Sequence, residues 1–182
     1  MFASNVVNTY TCLGNCGKER RINEHYNHFS IAESSDITVA LSDFFKPSND
    51  ALLSTCETCK CDRSSHTLLC TKWPKVLVLQ IKRFECNKDG KATKSSRSVF
   101  VPYMFKPGSA SVDKIYNLTG IIHHMGSSPS SGHYTADVLR NGSWYRCNDS
   151  VIAEVDLQSE YSANASGLHT KSAYILMFEA LS

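Results

Sequence analysis

An Asn-Gly pair, Asn141-Gly142, lies between two β-rich runs at 134–140 and 143–148. This pair favours a two-residue type I′ hairpin turn, because both of its residues adopt positive φ at low cost. A two-residue turn fixes the register, so the residues flanking it pair with each other and each step outward adds one pair. The sequence therefore predicts an antiparallel hairpin in which every cross-strand pair can be named.

This register assigns the hairpin side chains to two faces, because successive residues of a strand point in opposite directions. One face is apolar and is predicted to pack on the core: Tyr134, Ala136, Val138, Tyr145 and Cys147. The other face is polar: His133, Thr135, Asp137, Arg146 and Asn148. On the polar face, His133 and Asn148 are diagonal cross-strand neighbours within reach of each other.

This placement of a histidine and an asparagine is typical of the base and its orienting partner in a thiol or serine protease. The imidazole of His133 would take a proton from the nucleophile, while the side-chain oxygen of Asn148 holds the other ring nitrogen. Asp149 falls on the opposite face and is the weaker candidate for that bond, although a β-bulge would reverse the preference. A solvated surface pair is the alternative interpretation. Asp137 opposite Arg146 is interpreted as a cross-strand ion pair.

Two short cysteine pairs predict a second kind of site, Cys12 with Cys16 and Cys56 with Cys59. Four thiolates in two such pairs form a closed tetrahedral zinc centre, so these four residues are the predicted metal ligands. Three residues separate the first pair, and Cys61 is a spare ligand beside the second pair. Reduced thiols without metal are the alternative.

Composition restricts the cellular compartment of the chain and the kinds of partner that it can bind. Eight cysteines in 182 residues fit either a secreted disulfide framework or intracellular thiols and metal. The short Cys spacings and the lack of a recognisable signal peptide favour the second, so the chain is expected in the cytoplasm or nucleus. The net charge of +2 is spread along the chain, which argues against nucleic acid as a partner. The apolar runs are too short to span a membrane.

The remaining pattern predicts one sheet-rich domain with a short helix. The helix spans 38–45, with Thr38 or Asp36 as its cap. A turn is predicted at 88–91. The small-residue segment 125–132 directly precedes the histidine and is interpreted either as a mobile gate beside the site or as an ordinary surface loop. Further strands are predicted at 76–81, where the run is apolar on both faces, and at 99–103, 117–123 and 173–178.

With these residues in place, the chain resembles the C-terminal part of the catalytic domain of the ubiquitin-specific proteases, the papain-like deubiquitinases. The most specific motif is Gly-His-Tyr-Thr-Ala at 132–136, followed by Trp-Tyr-Arg-Cys-Asn-Asp-Ser at 144–150, which together resemble the family's histidine box. Segments 74–84, 117–126 and 172–179 agree in order and spacing, the first of them ending in Lys-Arg-Phe. Segment 24–31 resembles the family's ubiquitin-contacting finger strand. The similarity runs from about residue 10 to residue 179.

The resemblance implies an α+β fold, with an antiparallel papain-like palm at about 71–182 and a zinc-finger-like fingers extension at about 5–70. It implies His133 as general base and Asn148 as its orienter, in the thiol-dependent hydrolysis of the bond after ubiquitin's C-terminal glycine. The gate at 125–132 would cover ubiquitin's C-terminal tail. The resemblance also implies a set of residues that contact ubiquitin: Tyr26, Phe29, Gly132 and Tyr134.

The family's nucleophile lies in a cysteine box at the start of a thumb helix, and nothing in this chain resembles that box or the thumb. Cys147 lies on the hairpin face opposite His133, and no helix follows Cys86. The isolated chain is therefore expected not to turn over substrate, since base and thiol must come within hydrogen-bond reach. Three alternatives stay open: a non-catalytic ubiquitin-binding module or pseudoenzyme, a zinc-stabilised interaction domain that does not bind ubiquitin, and complementation by a separate thumb segment.

Overall fold

A computed structural model of the protein describes residues 1–51, 55–86, 90, 92–108, 114–128 and 131–181. The predicted turn at 88–91 lies largely outside these residues, as do positions 129–130 of the predicted gate and the side chain of Cys86. Strands dominate the described chain, with two short helices among them. Within the described ranges, no helix is long and apolar enough to cross a membrane.

The elements follow one another along the chain in two groups. The first group is β1 Ser4–Cys12, β2 Glu19–Tyr26, β3 Phe29–Ala32, α1 Ile37–Phe44, β4 Ser48–Ala51, β5 Ser64–Lys72, β6 Val76–Lys82, β7 Phe84–Cys86 and β8 Ala92–Lys94. The second group is β9 Val99–Pro102, β10 Met104–Phe105, β11 Tyr116–Ser128, β12 Ser131–Arg140, β13 Ser143–Asn148, β14 Val151–Glu154, α2 Leu157–Glu160, β15 Ser162–Asn164, β16 Gly167–Thr170 and β17 Ala173–Ala180.

The largest sheet follows the order β14-β13-β12-β11-β17-β6-β3, with β10 paired to the start of β11. Its neighbours are antiparallel except for β3 and β6, which run parallel. One face of the sheet is buried and joins α1, β9 and β16 in a single apolar core. This sheet-dominated architecture confirms the α+β prediction. In β6 only alternate residues are fully buried, so its other face is half-exposed rather than enclosed as predicted.

The predicted helix is confirmed as α1, and Asp36 rather than Thr38 is its N-cap. The Asp36 carboxylate accepts hydrogen bonds from both the backbone N–H and the hydroxyl of Thr38, each at 2.7 Å. A capping carboxylate satisfies one of the backbone donors that the first helical turn leaves free.

The hairpin of β12 and β13 has the predicted register. Asn141 and Gly142 have φ values of 51° and 86°, as a type I′ turn requires. The named pairs run outward from Arg140 with Ser143 to Ala136 with Cys147. The two-residue turn thus sets the cross-strand pairing of ten residues, five on each strand.

The prediction of which hairpin face is buried was wrong. Thr135 and Asp137 on the polar face are 7% and 0% exposed, whereas Tyr134 on the opposite face is 51% exposed. Burying an unpaired carboxylate would be costly, so this arrangement requires partners for Asp137. Besides Arg146 across the hairpin, those partners come from β11 and from the residue after α2, which no local pattern in the hairpin reveals.

The predicted gate is more regular than a loop. β11 continues to Ser128 and β12 begins at Ser131, so most of segment 125–132 extends the neighbouring strands into a hairpin arm. A register shift lies between Met125 and Ser128, and Gly126 has a φ of 157°. The arm ends directly at His133, which pairs with Met125.

The cysteine pairs lie at one end of a separate four-stranded sheet with the order β2-β1-β5-β4. The strand that follows β2 in the chain, β3, does not belong to this sheet and pairs instead with β6 of the large sheet. Phe29 on β3 is 1% exposed and contacts Phe44, Phe45 and Trp73 in an aromatic cluster. The expectation that Phe29 contacts ubiquitin is therefore corrected, because its side chain is buried in the protein's own core.

Arg83 follows β6 and is fully buried, with 0% of its side chain exposed. Its guanidinium donates to Glu33 Oε1 at 2.7 Å and to the carbonyl oxygens of Ala173, Arg97 and Thr170 at 2.6, 3.0 and 3.3 Å. The arginine of the Lys-Arg-Phe motif therefore joins the loop after β3, the segment before β9 and the turn between β16 and β17.

Candidate active site and metal centre

His133 and Asn148 meet at the end of the β12–β13 hairpin. His133 Nε2 lies 2.6 Å from Asn148 Oδ1. Since an amide oxygen only accepts, Nε2 carries the proton and donates this bond, which leaves a lone pair on Nδ1. An oriented imidazole with an available lone pair can act as a general base.

Asp149 occupies the tight turn that joins β13 to β14, where Asn148 pairs with Val151. Its φ of 50° is the left-handed conformation that such a turn requires. In the described part of the chain its carboxylate makes no hydrogen bond with His133. The geometry therefore favours Asn148 over Asp149 as the partner of the imidazole.

The described thiols lie away from this pair. Cys147 is the cross-strand partner of Ala136 and so lies on the opposite face of the hairpin from His133. Cys70 is 3% exposed, and burial raises the pKa of its thiol to about 11. Four further thiols cluster in the smaller sheet. Among the described cysteine side chains, none makes a hydrogen bond to His133.

A buried polar network lies on the same hairpin face as the histidine. The Asp137 carboxylate accepts from Arg146 Nε and Nη2 at 2.9 and 3.1 Å, from Tyr161 Oη at 2.7 Å and from His123 Nε2 at 3.1 Å. Burial opposes ionisation of Asp137, but the hydrogen bonds from His123, Arg146 and Tyr161 outweigh it and hold the pKa well below its usual range. The sequence revealed the pair of Asp137 with Arg146 but not the other two partners, which come from distant segments.

An exposed tyrosine and a close backbone contact border the site on the arm side. Tyr134 is 51% exposed, and its ring packs on that of His124, with centroids 4.7 Å apart. A Cβ added to Gly132 would lie 2.2 Å from His124 Nε2, so no larger residue fits without displacing that ring. Both predicted ubiquitin contacts on this segment are thus next to His133, and both are exposed.

Tyr26 lies at the end of β2, where the smaller sheet meets the aromatic cluster. Its hydroxyl donates to Glu24 Oε2 at 2.8 Å, and its ring meets Phe29 edge to face at 5.7 Å. Burial raises the pKa of Tyr26 above its ordinary value. Its side chain remains half-buried, so part of it is available for contact.

The four cysteines predicted as metal ligands converge, with all four sulfur atoms within 4.8 Å of one another. The Sγ atoms of Cys12 and Cys59 are 3.5 Å apart, and Cys16 lies 3.7 Å from Cys56 and 3.4 Å from Cys59. Tetrahedral zinc with Zn–S bonds of about 2.3 Å places its sulfurs about 3.8 Å apart, so this donor set fits the ion. Cys61 lies outside the group of four, with its thiol directed to the carbonyl of Arg63.

Backbone N–H groups favour the thiolate form at two of the four cysteines, since they lower the pKa of Cys56 and of Cys59, whereas burial and the neighbouring thiols raise the pKa of Cys12 and Cys16. The N–H groups of Cys59 and Thr58 lower the pKa of the Cys56 thiol to about 6. A Cβ on Gly14 would lie 2.7 Å from Cys59 Sγ, so the first cysteine pair requires glycine here. Thiolate rather than thiol is the form that binds metal.

Comparison with known proteins gives consistent results across sequence and structure. Residues 1–178 match the family model described as ubiquitin carboxyl-terminal hydrolase. Ubiquitin carboxyl-terminal hydrolase 25 of Arabidopsis thaliana is 31% identical over 189 aligned positions, covering 98% of this chain and 27% of that protein. Ubiquitin carboxyl-terminal hydrolase 3 of Saccharomyces cerevisiae is 31% identical over 59% of this chain and 15% of its own length. The chain thus spans about a quarter or less of these relatives.

Solved structures share the fold. The yeast SAGA DUB module aligns with a TM-score of 0.82 at 24% identity, over 100% of this chain and 41% of the matched chain. The SAGA Ubp8 DUB module bound to ubiquitin aldehyde aligns with a TM-score of 0.80 at 22% identity, over 100% of this chain and 42% of that chain. At this level of identity the likeness establishes the architecture alone.

Proposed function

The chain belongs to the ubiquitin carboxyl-terminal hydrolase family, and from that premise we propose that it forms the ubiquitin-binding and general-base part of a deubiquitinase. The reaction proposed for the complete enzyme is thiol-dependent hydrolysis of the bond after ubiquitin's C-terminal glycine. The hydrogen bond between His133 Nε2 and Asn148 Oδ1 carries the proposal, because it leaves Nδ1 free to accept a proton. Ubiquitin is the proposed partner, since the structurally similar Ubp8 module binds ubiquitin aldehyde.

In the proposed mechanism, His133 takes the proton of a cysteine thiol and so generates the thiolate that attacks the carbonyl carbon. Asn148 holds the ring plane and stabilises the imidazolium that forms. The same imidazolium then gives its proton to the departing amine. Hydrolysis of the thioester by water, with His133 again as base, releases ubiquitin and restores the thiol.

The nucleophilic cysteine is proposed to come from a polypeptide segment outside these 182 residues. The described thiols lie on the wrong face of the hairpin, as Cys147 does, are buried, as Cys70 is, or lie in or beside the four-cysteine cluster, as Cys61 does. The isolated chain is then a half-site that binds ubiquitin without cleaving it. Tyr134 and Gly132 beside His133, and Tyr26 beside the aromatic cluster, are the proposed contacts.

The isolated chain is expected to bind ubiquitin and to form no covalent adduct with a ubiquitin probe that carries a C-terminal thiol-reactive group. Titration calorimetry measures the binding, and intact-mass spectrometry measures the adduct. Tyr134→Ala should weaken binding tenfold or more, roughly what truncating one central aromatic contact costs. Met104→Ala is the matched control, since Met104 is 59% exposed and pairs near the far end of β11, about 23 Å along the strand from the Tyr134 pair.

Three results would contradict this proposal. A covalent adduct that disappears on substitution of one cysteine and in His133→Ala would show that the nucleophile lies within these 182 residues. A folded chain without measurable affinity for ubiquitin would favour the zinc-stabilised interaction domain instead. Equal effects of Tyr134→Ala and Met104→Ala would remove the proposed contact surface.

The hydrogen bond of His133 has its own test. In the neutral ring, the proton is expected on Nε2 alone, because Asn148 accepts from that nitrogen. Long-range proton–nitrogen NMR spectra give the fraction of each tautomer. Asn148→Ala should introduce a fraction with the proton on Nδ1, as in a free imidazole, whereas Asp149→Ala should leave the spectrum unchanged. A larger effect from Asp149→Ala would make Asp149 the orienting residue.

Zinc is the proposed occupant of the four-cysteine cluster. Zinc prefers four tetrahedral ligands and binds thiolates well, and a centre with four protein ligands has no open position for substrate. Its proposed role is therefore structural. It would join the β1–β2 connection, with Cys12 and Cys16, to the segment before β5, with Cys56 and Cys59.

A further inference from the structure

The bond between His133 and Asn148 joins two strands at a point where they no longer pair with each other: His133 pairs with Met125 on β11, and Asn148 pairs with Val151 on β14. Asn148 is exposed and His133 is half-buried, so water competes for the same hydrogen-bonding groups. The paired register of β12 with β13 ends at Ala136 and Cys147, before it reaches either residue. A solvent-accessible hydrogen bond beyond the end of a ladder has little stability of its own. Contacts elsewhere on the same hairpin face must therefore fix the relative position of these two side chains.

The next side-chain pair on the same hairpin face is Asp137 with Arg146. Asp137 lies four residues after His133, Arg146 lies two residues before Asn148, and the two are direct cross-strand partners. Arg146 binds Asp137 through Nε and Nη2, a two-point contact that fixes direction as well as distance. Because the carboxylate is 0% exposed, water does not weaken this contact as it weakens the outer one.

The pair is itself anchored on two sides. On one side, Arg146 Nη1 donates to Glu160 Oε2 at 2.8 Å, and Nη2 donates to Tyr161 Oη at 3.0 Å. On the other side, His123 Nδ1 lies 2.9 Å from Ser172 Oγ in the turn between β16 and β17. The network thus joins β11, β12, β13, the end of α2 and the start of β17 beneath the hairpin.

The sequence of groups Ser172, His123 and Asp137 has the order of a hydrolytic triad, but its setting is structural. His123 is 2% exposed, and Asp137 is already neutralised by Arg146. A second hydrolytic site would need a substrate-accessible imidazole. The network instead has the properties of a rigid support: it is centred on the buried Asp137 and His123, it includes the partly exposed Arg146, and it draws on several elements.

We propose that Asp137 and Arg146, held by Tyr161 and His123, are positioning residues that fix the geometry of the His133–Asn148 pair. The contact between Asp137 and Arg146 sets the relative position of β12 and β13 where their pairing ends, so that Asn148 Oδ1 stays within reach of His133 Nε2. This proposal rests on the proposed function, in which His133 is the general base. Preorganisation of this kind contributes to catalysis because the base need not be oriented during the reaction.

The test uses the 182-residue chain and the tautomer spectrum of His133 in two mild variants. Arg146→Lys keeps the positive charge but loses the two-point contact and the bonds to Glu160 and Tyr161. Tyr161→Phe removes one hydroxyl and keeps the ring. In both, the fraction with the proton on Nδ1 should shift from the wild-type value toward that of Asn148→Ala, and further in Arg146→Lys.

Leu77→Ala is the matched control, because it removes core packing on β6, three strands from β12, without touching the network. It should lower the melting temperature and leave the His133 spectrum as in the wild type. Wild-type spectra in both Arg146→Lys and Tyr161→Phe, with Asn148→Ala shifted, would overturn the positioning role and leave the proposed function intact. An unshifted spectrum in Asn148→Ala would instead show that the hydrogen bond from His133 to Asn148 does not set the tautomer.

Discussion

Replacement of Cys56 by serine is expected to abolish zinc binding and to unfold the end of the four-stranded sheet. A structural zinc site contributes folding free energy directly, with apparent binding of about 10–16 kcal/mol in small zinc domains near neutral pH. Burial contributes little to the stability of the cluster, because Cys12 and Cys16 are half-buried and Cys59 is exposed. Without metal, four clustered thiols supply only weak sulfur hydrogen bonds.

Two measurements test this prediction: the metal content by mass spectrometry and the melting temperature by calorimetry. The wild-type chain should hold one zinc ion, as expected for four ligands around one centre, and lose stability on treatment with a strong chelator. Cys61→Ser is the control, because Cys61 lies beside the cluster but outside the set of four, and it should retain both metal and stability. A Cys56→Ser chain with wild-type zinc content would show that Cys61 can replace a ligand. Wild-type stability without metal in either chain would remove the structural role of zinc.

Replacement of Arg83 by methionine is expected to lower the free energy of unfolding by about 3–5 kcal/mol, the range for removing one partner of a buried ion pair. The substitution keeps most of the side-chain length but leaves Glu33, only 10% exposed, without its cation. It also leaves the carbonyl oxygens of Ala173 and Thr170 without their donor. Burial lowers the pKa of Arg83, yet an arginine stays protonated at neutral pH and so retains its charge in this position.

Urea denaturation followed by circular dichroism gives the loss of stability. Lys82→Met is the matched control, since Lys82 is the exposed neighbour in the same motif and its substitution should change stability by less than about 0.5 kcal/mol. The double variant Arg83→Met with Glu33→Gln should recover part of the loss, because it removes the unpaired charge. Equal stability of Arg83→Met and the wild type would show that the arginine does not support the fold.

The two predictions concern the supports of the proposed half-site. The zinc cluster would hold the end of the smaller sheet opposite to Tyr26, the proposed ubiquitin contact on that sheet. Arg83 connects the loop after β3 and the start of β17 to β6, the strand that it follows. β17 in turn pairs directly with β11, the neighbour of β12 in the large sheet. Neither group is proposed to touch the reacting atoms. Their loss should therefore reduce ubiquitin binding through the fold, whereas Tyr134→Ala should reduce it in a folded chain.

The features that the sequence predicted correctly depend on interactions between near neighbours. Asn141 and Gly142 specify a turn through their own backbone preferences, and the register of β12 and β13 follows from that turn alone. The same register placed His133 beside Asn148. Asp36 caps its helix through a contact two residues away. Short spacing likewise brings together the two cysteines of each pair, although the two pairs meet only because β1 pairs with β5.

The features that the sequence did not reveal depend on residues far apart in the chain. Alternation separated the two hairpin faces correctly but could not tell which one is buried, because the answer depends on His123 and Tyr161. A carboxylate is expected at the surface until donors from other elements compensate its burial, and only the folded chain brings those donors to Asp137. Phe29 likewise became a core residue because β3 pairs with β6, some fifty residues later in the chain. Local backbone preferences are present in the sequence itself, whereas burial and charge compensation exist only after distant segments have met.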